Sequence, residues 1–223
     1  LIVPIKLAIV GAFYILMEKY FGFWSPASSM ADPNYLASVF PWYTGIAISL
    51  QAGFWEEMLF RAVPIGAGVL IGQRYNMRFT GLVIAMILQA LIFGAGHANY
   101  PAQPSYARVV ELFLPSIIVY GMLYLKLGVI FGAITHYLYD VLLFSLPIWY
   151  SSGYVVDKFM TVLCAAIPLL VILYFRMKAN RWSEIDDSSL NKGFEPTPPE
   201  IPAVKEKSKA IIQDGSPLNK KIL

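Results

Sequence analysis

The stretch GFWEEMLFR sets two adjacent carboxylates, Glu56 and Glu57, and an arginine, Arg61, in an otherwise apolar run. Further along, FGAGH places His97 four residues after Phe93, and HYLYD places Asp140 four residues after His136. These two histidines are the only ones in the chain. Such residues suit general acid–base chemistry: a glutamate takes a proton from water, an imidazole positions that water, and a donor receives charge developing on oxygen. A carboxylate and two histidines also suit zinc, with water at the open position. Each residue has a plainer use when taken singly. Glu57 and Arg61 share a helix face in the favoured order for a structural ion pair. Phe93 reads as core, Glu111 beside Arg108 as a rim charge, and His97 as interfacial.

The surroundings make the plain uses harder to accept. Of the 223 residues 57% are hydrophobic and only 14% charged, and the mean hydropathy is +0.59. A soluble domain is nearer ~45–50% apolar and ~25% charged, so the chain reads as a membrane protein. Its small net charge of +3 gives no basic surface for nucleic acid. One cysteine, Cys164 in TVLCAAIPLLVILYF, excludes a disulfide framework or cysteine metal cluster and reads as a small apolar residue.

A membrane helix needs about 20 mostly apolar residues, and about six stretches qualify. They are 1–17, a run from 36 to 72 expected to divide near Pro64, 79–98, 109–125, 128–148 and 158–178. The predicted fold is all-α: a polytopic transmembrane bundle over 1–182, with the motifs inside about 40–150. No internal repeat of the kind that marks many transporters is visible. Residues 183–223 are polar and proline-rich and are expected to form a disordered tail. Arg74, Arg78, Lys126, Arg176, Lys178 and Arg181 gather at one set of helix ends, against Lys19, Arg108 and Lys158 at the other. The positive-inside rule then puts the C-terminus in the cytoplasm. The opening LIVPIKLAIV has no methionine, basic start or cleavage site, and reads as the first membrane helix of a fragment or processed chain.

The ionisable residues assigned to the spans are Glu56, Glu57, Arg61, His97, Glu111, His136 and Asp140. A charge at mid-bilayer costs roughly 2.5–3.5 kcal/mol on the insertion scale, so such residues face the bundle interior or water and suggest function. Gly94, Gly96, Gly128 and Gly132 flank the histidines and are expected to let backbones approach closely.

The order EExxxR, FxxxH, HxxxN/D on successive membrane helices resembles the CPBP family, which includes type II CAAX prenyl endopeptidases and bacteriocin-processing or immunity proteins. Here the motifs read EEMLFR, FGAGH and HYLYD. One further span separates the second from the third, as in the family. The resemblance implies an intramembrane endopeptidase of a multi-pass membrane protein, in a bacterial cell membrane or, in a eukaryote, the endoplasmic reticulum. It implies Glu56 as general base, His97 as the residue positioning the water, and Glu57 as support paired with Arg61. His136 and the fourth position would stabilise the oxyanion. Asp140 stands where the CAAX endopeptidases carry asparagine. An ionised aspartate only accepts hydrogen bonds, so it either donates in its protonated form or acts through His136. No cofactor is favoured, since HExxH is absent; a zinc set of Glu56, His97 and His136 is the alternative. The expected partners are the lipid bilayer and a peptide or protein substrate, prenylated CAAX-type tails among them. A non-catalytic scaffold or immunity-type peptide-binding protein is the second functional class.

Overall fold

The computed structural model describes residues 2–24, 36–99 and 103–182. The tail expected over 183–223 lies outside them. Helix α1 is Ile2–Phe21. Helix α2 spans 41–74 and has three parts: α-helical Pro41–Glu57, π-helical Met58–Ala62 and α-helical Val63–Arg74. Helix α3 is Arg78–Gly96. Helix α4 is Ala107–Leu127, with a π-helical centre at Ser116–Gly121. Helix α5, Val129–Phe144, leads into the short α6, Leu146–Tyr150, and the chain ends in α7, Val155–Ala179. No strand occurs among the described residues. The helical bundle read from the sequence is the fold.

Among the described residues, four helices are long and apolar enough to cross a membrane: α3, α4, α5 with α6, and α7. The other two, α1 and α2, are interrupted by Lys6, Glu18 and Lys19, and by Glu56, Glu57 and Arg61 respectively. Of these charges Lys6, Glu57 and Arg61 are buried.

Pro64 does not divide the run from 36 to 72. Proline lacks an N–H and crowds the preceding turn, but the π segment just before it absorbs the mismatch: the Val63 N–H reaches back five residues to the Met58 carbonyl. Helix α2 thus continues for about 50 Å at ~1.5 Å per residue. The second π segment instead follows a proline, Pro115.

Small residues set the helix crossings. A Cβ on Gly53 of α2 would lie 2.9 Å from the Ala133 carbonyl oxygen and 3.0 Å from the Tyr137 nitrogen of α5. One on Gly68 would come within 2.7 Å of the Gly81 carbonyl on α3, and one on Gly94 within 2.7 Å of Val109 Cα on α4. Only a missing side chain permits these approaches. Of the four glycines expected to act this way, Gly94 does, whereas Gly132 makes room for a side chain, that of Glu57. Gly96 has no neighbour at the Cβ position, and neither has Gly128. With φ +85°, Gly128 instead makes the left-handed turn between α4 and α5. Helix α7 packs on α2 and α5 through Cys164, Ile46, Tyr137 and Val141, and Tyr137 donates to the Cys164 carbonyl at 3.0 Å. Its other faces are exposed and apolar, as lipid contact requires.

Candidate active site

The three motifs meet in one place. Glu56 and Glu57 end the first α-helical part of α2, Arg61 lies in the π segment, His97 caps the C-terminus of α3, and His136 and Asp140 share a face of α5. The Gly53 crossing brings α2 against α5, and at Gly132 a Cβ would sit 2.9 Å from Glu57 Oε2. The carboxylate occupies the space that a side chain would have filled.

Glu57 is fully buried and held from two sides. His136 Nδ1 lies 2.8 Å from its Oε1, and Arg61 Nη1 lies 3.4 Å from the same oxygen. The Arg61 guanidinium, also fully buried, donates from Nη2 to Ser116 Oγ at 3.4 Å. It stacks on the rings of Phe93 and Tyr120, at 4.2 and 4.9 Å from their centroids. Phe93 is therefore more than core filling. It carries the guanidinium on one face and contacts both histidine rings, at 4.5 Å and 6.2 Å, a favourable placement for a desolvated cation.

Glu56 is different. Its Oε2, like Glu57 Oε2, is buried without a hydrogen bond, but it lies between the two histidines, 3.5 Å from His136 Nε2 and 3.9 Å from His97 Nε2. Asp140 Oδ2 lies 3.6 Å from the same His136 Nε2. Both histidines have their tautomers set from the far side. His97 Nδ1 is 2.7 Å from the Phe93 carbonyl oxygen, which only accepts, and His136 Nδ1 faces the Glu57 carboxylate. Each Nδ1 therefore carries the proton, and each Nε2 of a neutral ring is an acceptor. Two imidazole acceptors and two carboxylates converge on one small space. What satisfies such a space is a donor, and a water molecule supplies two. Among the described residues, no three His, Cys, Asp or Glu side chains are disposed as a set to hold one metal ion.

Two features go beyond the sequence reading. Glu111 is not a rim charge. It is buried, and its Oε2 accepts from Arg108 Nη1 and from the Tyr14 hydroxyl, both at 2.5 Å, tying α4 to α1. Lys6 of α1 is also buried but is absent from the ionisable set read from the sequence. A lysine near the start of a helix reads as one that reaches the interface, and no motif or i, i+4 partner marks it.

Residues 38–142 match the family described as type II CAAX prenyl endopeptidase Rce1-like. That segment contains the three motifs, so the resemblance they carry is shown, and the apolar helices mark an integral membrane protein. Among curated proteins the chain is similar to the sporulation-killing factor biosynthesis protein SkfC of Bacillus subtilis (strain 168), at 22% identity over 145 residues. That match covers 65% of this chain and 27% of the relative, so the chain spans about a quarter of the relative's length. No solved structure matches.

Proposed function

We propose that the protein is an intramembrane endopeptidase that hydrolyses a peptide bond of a membrane-associated substrate with water activated by Glu56. The single observation that carries this reading is Glu56 Oε2, buried without a hydrogen bond between the Nε2 atoms of His97 and His136. A water seated there donates to Glu56 and to His97. As the substrate carbonyl is attacked, one water proton passes to Glu56 and the hydroxide oxygen bonds to the carbonyl carbon. The negative charge moves to the carbonyl oxygen. His136 donates through Nδ1 to Glu57, and a proton held between Asp140 and His136 Nε2 is donated toward that oxygen. Glu56 then delivers its proton to the leaving nitrogen as the C–N bond breaks, the dual use expected of a general base in peptide hydrolysis. Glu57 and Arg61 form the buried pair that keeps His136 in place, and Phe93 supports both. Asp140 is assigned to the electrostatics around His136 Nε2.

The family description points to prenylated CAAX-type tails as substrates. The name of the relative ties a similar sequence to the making of a killing factor, so a bacterial peptide precursor is the other substrate class. We place the protein in a bacterial cell membrane with its C-terminus cytoplasmic. The deciding experiment is cleavage of a farnesylated CAAX reporter peptide, and of a bacterial peptide library, by membranes carrying wild type or Glu56→Gln. Cleavage that disappears with Glu56→Gln supports the peptidase. A biological function that survives Glu56→Gln favours the non-catalytic binding protein.

A further inference from the structure

One amide in the apolar run of α3 belongs to no motif. Gln89 is fully buried. It stands four residues before Phe93, which stands four before His97, so the three lie on one side of the helix. An amide buried in such a run costs free energy unless it is bonded. Gln89 Nε2 donates to the Met86 carbonyl of its own helix at 3.0 Å and across to the Ser116 carbonyl of α4 at 3.2 Å. Ser116, also fully buried, opens the π segment of α4. Its hydroxyl oxygen accepts from Nη2 of Arg61, which lies in the π segment of α2, at 3.4 Å. The Tyr124 hydroxyl adds a second tie to that segment, donating to the Ala62 carbonyl at 3.4 Å. Wide turns of this kind inside α-helices occur frequently at functional sites.

The bond to Ser116 matters because Arg61 has little else of its kind. Nε and Nη1 of the guanidinium make no hydrogen bond, so among the described residues the bond from Nη2 is the one that its side chain makes. Phe93 and Tyr120 hold the group by their ring faces, and a ring face does not fix which nitrogen points where. A directed hydrogen bond does. With Nη2 on Ser116, Nη1 lies 3.4 Å from Glu57 Oε1, and that oxygen meets His136 Nδ1 at 2.8 Å. Gln89, Ser116, Arg61, Glu57 and His136 thus form one line of buried contacts, from α3 across the two π segments to an imidazole of the site.

We infer that Ser116 and Gln89 are positioning residues of the site: Gln89 holds Ser116, Ser116 sets the rotation of the Arg61 guanidinium, and Arg61 keeps the Glu57 carboxylate on His136 Nδ1. The imidazole then keeps its proton on Nδ1 and turns Nε2 to the space between the two histidines. The inference rests on the peptidase reading. It also gives α4, the span that carries no motif, a part in the reaction.

Polar residues also serve membrane helices as plain glue, and the test separates the two roles. The full chain in detergent is prepared as wild type, Ser116→Ala, Ser116→Thr and Gln89→Met, with its histidines labelled with nitrogen-15. For each, kcat and KM on the farnesylated reporter, the thermal midpoint and the imidazole nitrogen resonances are measured. With only two histidines in the chain, a His97→Gln variant assigns the signals. Ser116→Ala should lower kcat by about tenfold or more with KM little changed, the size of one hydrogen bond to a charged group. It should also mix the Nε2–H tautomer into the His136 signals. Gln89→Met, which acts through a neutral bond, should do the same with a loss of about threefold or more. Ser116→Thr keeps the hydroxyl and should keep more activity than Ser116→Ala. Unchanged His136 signals in Ser116→Ala or Gln89→Met, whatever the midpoint, would overturn the inference and leave that residue as glue between helices. Altered signals with kcat unchanged from an active wild type would overturn it as well. The resonances need no turnover, so an inactive wild type, or a fully active Glu56→Gln, would remove the peptidase reading while the imidazole still decided the line from Gln89 to His136.

Discussion

Glu57 and His136 are 79 residues apart in sequence and 2.8 Å apart in space. Their contact makes the two neighbouring glutamates unequal. Glu57 holds His136 and Arg61 through Oε1, whereas Glu56, one residue earlier and turned by a helical step, sets its Oε2 between the Nε2 atoms of His97 and His136 without a hydrogen bond. Two identical side chains acquire different roles from the helix geometry alone.

Glu56→Gln should abolish turnover without unfolding the protein. The amide keeps the shape and loses the proton acceptor, so the loss should be at least the ~10²–10⁴-fold typical of a general base, with an unchanged thermal midpoint. Single-turnover assays of the purified variant would measure it. Turnover within a few-fold of wild type would remove Glu56 from the base role.

Arg61→Ala should act on the fold first. It removes a buried cation from Glu57 and leaves the Phe93 and Tyr120 faces uncovered. Breaking a buried pair from one side costs roughly 3–5 kcal/mol. Chemical unfolding in mixed micelles would report this. A variant as stable as wild type would show that His136 alone compensates Glu57.

Two glycine substitutions on the same crossing should give different outcomes. Gly53→Ala drives a methyl into backbone atoms of α5, at 2.9 and 3.0 Å, and should cost about 1–3 kcal/mol of stability as overpacking does. At Gly132 the obstacle is the Glu57 carboxylate itself, which can swing away from His136. Gly132→Ala should therefore lose activity, by tenfold or more, out of proportion to its loss of stability. Parallel unfolding and turnover measurements separate the two. Equal behaviour would mean that Glu57 cannot move within the crossing.

Strong chelators should leave activity nearly unchanged, because the proposed mechanism takes its proton acceptor and its donors from the chain. Stoichiometric zinc in the purified protein, with activity lost on its removal and restored on its return, would give Glu56, His97 and His136 ligand roles instead.

The amphipathic logic of the bundle was legible from composition and run length, and the three motifs indicated which helices had to meet. The π segments were not legible. Sequence predicts that Pro64 disrupts a helix, but whether the chain responds with a break or with one added residue per turn is decided by packing on α3 and α5. Gly128 and Gly132 look alike as letters, yet one turns the chain and the other makes room for a carboxylate. Lys6 escaped because a lone lysine has no local partner to mark it; its partners, Tyr120 and Tyr139, come from two helices more than a hundred residues away. Glu111 was misjudged for a related reason: its i−3 arginine is visible in the sequence, but the Tyr14 that helps to enclose it is not.

The π segment between Glu57 and Pro64 has a consequence for how this helix tolerates length change. It is a single turn with one residue too many, and it sits between the two glutamates and the rest of α2. Deleting one residue from Met58–Ala62 would restore ordinary α-helical spacing and keep a continuous helix of nearly the same length. Because the wide turn takes up that residue without turning its flanks, the two halves would keep nearly the same angular phase, whereas a deletion in the α-helical stretch between Val63 and Gly68 would turn them by ~100°, the angle of one residue in an α-helix. Anchored by the Gly68–Gly81 crossing at one end, the shortened π turn would leave Glu56 and Glu57 facing His136. The wide turn thus works as slack in the helix, a place where one residue is gained or lost without changing the face the carboxylates present.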